Sequence, residues 1–195
     1  VDSPNLLLLA AFAPELAGLD MEAPRGWRTA LTGIGAVTAA VATTRILCEM
    51  TPRAVLFIGT CGVYGERLNV GDCITASEVV AVSVSEIQHR AFRPSIETTS
   101  WPVSWELPLP KCVVAAPPAI TFSSEDAAIL GQVADIEHLE LAGVFAACQL
   151  AKVPVSAALV VANHVGPDAH AEWNANHKRV SRMLVDSLGQ FEFDI

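Results

Sequence analysis

Four polar spots stand out against apolar surroundings: Glu15, the run Gly59-Thr60-Cys61-Gly62, Glu140 and Asn163. A sheltered carboxylate can serve as a general base or accept from vicinal hydroxyls. A threonine between glycines offers backbone N–H groups and a hydroxyl, and an asparagine offers a donor and an acceptor together. Each spot alone has a plainer reading. Glu15 and Glu140 fit acids favoured at a helix start, Gly59 and Gly62 fit a tight turn, and Asn163 fits a loop cap. Their joint placement is more telling, because each follows an apolar run or opens a helix. In open α/β sheets, ligands collect at the carboxyl ends of the strands.

The elements that must position them follow from the apolar pattern. Asn5 to Ala13 and Trp27 to Leu31 read as short buried strands, the second ending at the turn Thr32-Gly33-Ile34-Gly35. Ala36 to Met50 is Ala-rich, with Val37, Val41, Thr44 and Leu47 at helical spacing, and Pro52 closes it. Ala54 to Ile58 is another strand, followed by a turn at 59–62. Strand, helix and strand in this order make a βαβ unit with a parallel sheet. Residues 71–84 are β-rich, whereas 85–111 hold four prolines and little periodicity, as expected of a flap over a site or an interface arm. Val113 to Phe122 is strand-like but broken at Pro117-Pro118; a helix over 139–151, a strand over 153–162 and an amphipathic helix over 171–188 complete the chain. The expectation is a single three-layer αβα domain with a central mixed, largely parallel sheet.

Composition excludes several classes of function. Of 195 residues, 52% are apolar and only 17% charged, which rules out a disordered chain. The net charge of −9 opposes binding to a nucleic-acid backbone. No apolar run approaches the roughly 18 residues of a membrane span, and the run from Leu6 follows Asp2 rather than the basic flank of a signal peptide. The five cysteines form no CxxC pair, so neither a disulfide framework nor a zinc knuckle is expected, and a cytoplasmic setting fits. His164, His170 and His177 have no i, i+4 spacing, so no metal site is expected. Gly33-Ile34-Gly35 lacks the third glycine of a dinucleotide fingerprint, Thr38 standing there, and a Walker lysine is missing; no cofactor is expected. The mean hydropathy of +0.42 is high, consistent with a face covered by another subunit.

Taken in order, the segments TGIGAVTAA (32–40), FIGTCG (57–62), LNVGDCITASE (68–78), IEHLELAGVFAACQLAKVP (136–154) and VVANHVG (160–166) resemble the nucleoside phosphorylase and nucleosidase superfamily. Within it the likeness is closer to the hydrolases, methylthioadenosine/adenosylhomocysteine nucleosidase and futalosine hydrolase. The resemblance implies a purine nucleoside as small-molecule substrate, and a homo-oligomer, dimer or larger. It puts Glu140 on the ribose hydroxyls, with Leu139 replacing the family's methionine against the sugar. Glu15 falls where the hydrolases carry the acid that activates water. Thr60, Cys61 and Gly62 fall on the turn lining the ribose and water side. Phe122 falls near the aromatic that stacks on the base. Trp173 echoes a tryptophan of the futalosine hydrolases and reads here as packing at a helix start.

Two departures choose among relatives. The arginines that a phosphate dianion would want are replaced by Phe57 and by Pro14-Glu15, which favours hydrolysis over phosphorolysis. The serine-aspartate pair that protonates adenine is replaced by Ala162-Asn163. An asparagine cannot donate a full proton but can pair with a 6-oxopurine such as hypoxanthine. That points toward futalosine, the hypoxanthine nucleoside of menaquinone synthesis. A phosphorylase and a non-catalytic nucleoside-binding protein remain the alternatives.

Overall fold

The computed structural model describes residues 5–17, 19, 27–95, 97–189 and 191. Asp2, which bears on the signal-peptide expectation, lies outside them. The elements run β1 (Leu6–Ala10), a 3-10 helix (Ala13–Leu16), β2 (Trp27–Leu31), α1 (Ala36–Met50), β3 (Ala54–Val63) and β4 (Cys73–Val80). They continue with α2 (Val84–Ile87), β5 (Ser100–Pro102), β6 (Lys111–Ala115), α3 (Ser124–Leu130), β7 (Ile136–Glu137), α4 (Leu141–Ala151), β8 (Val155–His164) and α5 (Ala169–Leu188).

β1 and the first half of β3 are continuous apolar runs because both of their faces are covered. β1 pairs in parallel with β2 on one side and with β3 on the other. β3 then runs parallel to β8 over its whole length, while its last two residues pair antiparallel with β7. β8 also pairs antiparallel with β4, which lies parallel to β6, and β6 lies parallel to β7. The mixed sheet therefore curls until β3, β7, β6, β4 and β8 form a closed circuit.

Helices cover both faces. Leu7, Leu9, Val55 and Phe57 share a core with Ala39, Ile46 and Leu47 of α1 and with Val144 and Phe145 of α4. Leu8, Leu56, Ile58 and Val160 pack on the opposite side against Val180, Leu184 and Val185 of α5. Where α1 and α4 cross, a Cβ on Gly143 would stand 2.1 Å from the Ala36 carbonyl oxygen. Only glycine permits that approach, and it brings the N-terminal ends of both helices together beside the sheet.

Several elements differ from expectation, each for a local reason. Residues 59–62 are not a turn, because pairing with β8 satisfies their backbone as far as Val63, with a register shift between Cys61 and Gly62. Asn163 accordingly lies inside β8 rather than after it. β2 is only half-buried, being an edge strand bonded on one side. The strand expected to reach Phe122 ends at Ala115, ahead of Pro117-Pro118. The irregular 85–111 stretch is tied to the body of the fold. β5 pairs with β4, the Trp101 indole donates to Gln149 Oε1 at 3.1 Å, and the Ser104 backbone N–H donates to the Val155 carbonyl.

Candidate functional site

The carboxyl ends of β1, β3 and β8 and the N-terminal ends of α4 and α5 converge on a cavity of about 250 Å³. Glu15 enters it from the 3-10 helix, which the chain forms directly after β1 with Pro14 in its first turn. The carboxylate is 3% exposed, and both oxygens are held. Oε1 accepts from the Thr60 backbone N–H at 2.8 Å and from the Thr60 hydroxyl at 3.0 Å; Oε2 accepts from the Ala11 N–H at 3.1 Å. Burial raises the Glu15 pKa to about 7, against the lowering effect of those three hydrogen bonds, and the nearby Glu140 charge adds to the rise. A carboxyl poised there can release and recover a proton near neutral pH.

The Thr60 hydroxyl is itself oriented. The Trp173 indole N–H, which can only donate, points to Thr60 Oγ1 at 3.1 Å. That leaves the hydroxyl proton for Glu15. Trp173 lies in the cavity wall, stacked on His177 at 4.1 Å between ring centroids and tilted against Phe12. Packing at the helix start is thus one part of what it does, and the hydrogen bond is the other. His170 and His177 flank this ring, while His164 faces Glu172 at 3.2 Å.

Glu140 is the N-cap residue of α4, yet its side chain does not cap that helix. Oε1 accepts from the Gly35 N–H at 2.7 Å, at the N-terminal end of α1. Oε2 lies 3.3 Å from His138 Nδ1. His138 is buried edge-on against Phe57, and burial lowers its pKa, keeping the imidazole neutral. A Cβ on Gly59 would meet both Glu15 Oε1 and His138 Nε2 at 3.1 Å, so the missing side chain lets both groups approach β3.

Leu139, Thr60, Cys61, Gly62 and Asn163 also line the cavity. Burial pushes the Cys61 thiol pKa well up, away from reactivity. Asn163 donates one amide N–H to the His164 carbonyl at 2.9 Å, leaving its other N–H and its oxygen for a ligand. Phe122 is not brought in: it is 68% exposed, and Ile120 takes a place in the wall instead. No described residue of 85–111 lines the cavity. Sequence reasoning missed His138, Glu137, Phe12 and Ile120. For the first two a signal existed, since alternation along Ile136-Glu137-His138-Leu139-Glu140 puts polar groups on both faces of a strand end.

Residues 29–131, more than half of the chain, match the Phosphorylase superfamily. The chain belongs to that superfamily. Among its relatives, a 5'-methylthioadenosine/S-adenosylhomocysteine nucleosidase of Shewanella halifaxensis (strain HAW-EB4) is 30% identical over 146 residues, covering 73% of this chain and 56% of the relative. One from Shewanella piezotolerans (strain WP3 / JCM 13877) is 32% identical over 131 residues, covering 67% and 50%. The chain spans about half the length of these curated relatives. In three dimensions it is similar to a futalosine hydrolase mutant of Helicobacter pylori strain 26695, with TM-score 0.82 and 19% identity over 94% of this chain and 96% of that one. It is equally similar to a Helicobacter pylori 5'-methylthioadenosine/S-adenosylhomocysteine nucleosidase solved with butyl-thio-DADMe-Immucillin-A, with TM-score 0.84 and 18% identity over 97% and 98%. The mixed α/β fold of this superfamily member, with its central sheet between helices, is the fold of both.

Proposed function

We propose that this chain is a purine nucleoside N-glycosidic hydrolase. The observation that carries the reading is the buried Glu15, raised to about 7 and held by Thr60, facing a cavity that also presents Glu140 and Asn163. In the reaction the C1′–N9 bond breaks first, its electron pair leaving with the base and the ribose becoming oxocarbenium-like. Glu140 accepts from the ribose hydroxyls and places negative charge beside the developing cation. Leu139 lies against the sugar. Thr60, Cys61 and Gly62 line the water side. Ionised Glu15 takes a proton from the water attacking C1′, and the departing purine, hydrogen-bonded to Asn163, takes its proton from solvent. Phe122, exposed in the single chain, has no part in this step.

Hydrolysis rather than phosphorolysis is supported by the wall itself. Among the described residues lining the cavity none is lysine or arginine, and Glu15 would repel a phosphate dianion. A 6-oxopurine is favoured over adenine because Asn163 offers a neutral donor and acceptor where proton transfer to the base would need an acid. The names of the relatives keep methylthioadenosine, adenosylhomocysteine and futalosine as the compounds to test, and futalosine would tie the protein to menaquinone synthesis. A homo-oligomer belongs to this reading. Ile34, Val37 and Val41, exposed along the start and one face of α1, are apolar surface for a second subunit, and Ile34 also lines the cavity. A cytoplasmic setting is supported by five free cysteines, three of them buried. A panel of futalosine, methylthioadenosine, adenosylhomocysteine and inosine, assayed for free base, tests the proposal. Release of hypoxanthine from futalosine or inosine is expected. Saturable binding with no base released would make the chain a nucleoside-binding protein instead.

A further inference from the structure

Trp173 touches both ends of the contact between Glu15 and Thr60. Its indole N–H donates to Thr60 Oγ1, on β3, at 3.1 Å. Its ring lies 5.8 Å, between centroids, from Phe12, the N-cap residue of the 3-10 helix that carries Glu15. The Phe12 carbonyl in turn accepts from the Glu15 backbone N–H at 3.1 Å. The indole is held by its own helix as well. His170 and His177, one turn before and one turn after it on α5, stack on it with interplanar angles of 15° and 8°. One ring thus braces the 3-10 helix, β3 and α5 against each other.

The two carboxylate oxygens of Glu15 are left with different roles. Oε1 accepts from both the Thr60 N–H and the Thr60 hydroxyl, which fills its lone-pair sites. Oε2 accepts from one donor among the described residues, the Ala11 N–H, so a site on it stays open. The Thr60 hydroxyl has a single proton and rotates to suit its partners. The indole N–H cannot accept, so while it occupies Thr60 Oγ1 that proton is directed to Glu15 Oε1, 3.0 Å away. Hydrogen bonds linked in this way strengthen each other.

We propose that Trp173 is a positioning residue for Glu15: acting through the Thr60 hydroxyl, it occupies Oε1 and leaves Oε2 as the oxygen that takes the proton of the attacking water. The proton-accepting step rests on the hydrolase reading, whereas the hold on the carboxylate does not. Burial raises the Glu15 pKa, and the Thr60 hydroxyl bond is one of the contacts that oppose the rise. Losing the indole donor therefore pushes that pKa further up. The other titratable groups around Glu15, among the described residues, are Glu140 at the start of α4, His138 beside Gly59 and Cys61 on β3. His170 and His177 stand beside the indole itself.

The test follows Glu15 by carboxyl-carbon NMR in the intact chain, its signal identified by its loss in Glu15→Gln. The midpoint, about 7, should rise by about 0.5–1 pH unit in Trp173→Phe, which keeps a stacked ring and removes the donor. Thr60→Val should raise it too, and adding Trp173→Phe to Thr60→Val should bring little further change. Thr60→Ser, which keeps a hydroxyl, should stay near the original midpoint. In base-release assays, kcat/KM of Trp173→Phe should fall about three- to tenfold below pH 7, and the deficit should close once Glu15 is ionised in both proteins. A packing defect alone would lower activity equally at every pH. A second check uses the unaltered indole. Its N–H proton signal should shift with the Glu15 midpoint, and that inflection should vanish in Glu15→Gln, where any from His170 or His177 remains. An unmoved Glu15 midpoint in Trp173→Phe, additive rises in the double variant, or an indole signal blind to Glu15 overturns the proposal. Shifted midpoints without cleavage of any nucleoside would remove the hydrolase reading and leave the hold of Trp173 on Glu15 standing. Cleavage with unmoved midpoints would do the reverse.

Discussion

Residues 54–58 and 59–63 belong to one strand and one hydrogen-bond ladder, but they meet different neighbours. Ala54, Val55, Leu56, Phe57 and Ile58 are buried between β1 and β8 and feed both hydrophobic cores. Beyond Phe57 the pairing with β1 stops, and the 3-10 helix that follows β1 carries Glu15 to the second half of the strand. There the strand reads Gly-Thr-Cys-Gly, with side chains too small to fill the gap. The first half stabilises by bulk. The second works by leaving bulk out, so that Glu15, His138, Glu137 and Asn163 can approach the same backbone.

That contrast yields predictions that divide stability from activity. The largest effect belongs to Glu15→Gln, which keeps the shape but cannot take a proton. Turnover should fall on the order of 10²–10⁴-fold while nucleoside binding changes little, as measured by base release and calorimetry. Leu56→Ala, in the first half, should lower unfolding free energy by about 2–5 kcal/mol in denaturant titrations. The folded fraction of that variant should retain its kcat, since Leu56 faces α5 rather than the cavity.

The raised Glu15 pKa couples the two properties through pH. Between pH 4.5 and about 7 the folded protein keeps a proton on Glu15 that the unfolded chain has released. The Glu15 contribution to stability therefore declines as pH rises through that window, by about 3 kcal/mol in all. Activity should move oppositely, kcat/KM climbing with a midpoint near pH 7 as the base ionises. The Gln variant should lose this part of the stability slope, in unfolding curves taken from pH 4 to 8. Finally, Gly59→Ala puts a methyl group against Glu15 Oε1 and His138 Nε2. It should cost only about 1–3 kcal/mol of stability, yet lower kcat/KM more than the costlier Leu56→Ala does. The reverse ranking would break the division of labour along β3.

Much of this division was legible in the sequence, and its failures have physical causes. The apolar runs and Ala-rich helices located β1, β3, β8, α1 and α4, because burial on both faces leaves a compositional mark. The expected turn at 59–62 was misplaced because glycine signals either a bend or a close approach, and only pairing with β8 selects the second. Glu15, Thr60, Glu140 and Asn163 were identified by type and position, and the fold brings them to one cavity. Trp173 was read as packing, since the hydrogen bond to Thr60 spans 113 residues and has no local signature. Phe122 matches the family's base-stacking position only if the strand runs on to it, and Pro117-Pro118 follow a strand that ends at Ala115, leaving Phe122 exposed. Glu137 carries no local signature that singles it out, because its place in the cavity wall depends on the register of β7 against β3.

In the proposed reaction, water activated by Glu15 attacks C1′ in this cavity. The direct measurement is to incubate the protein with inosine and futalosine, in buffers with and without inorganic phosphate, and quantify the base and the sugar product. The prediction is free hypoxanthine and free pentose in equal amounts, at a rate unaffected by phosphate and lost in Glu15→Gln. Accumulation of a sugar 1-phosphate only when phosphate is present, or unchanged turnover in the variant, would contradict it.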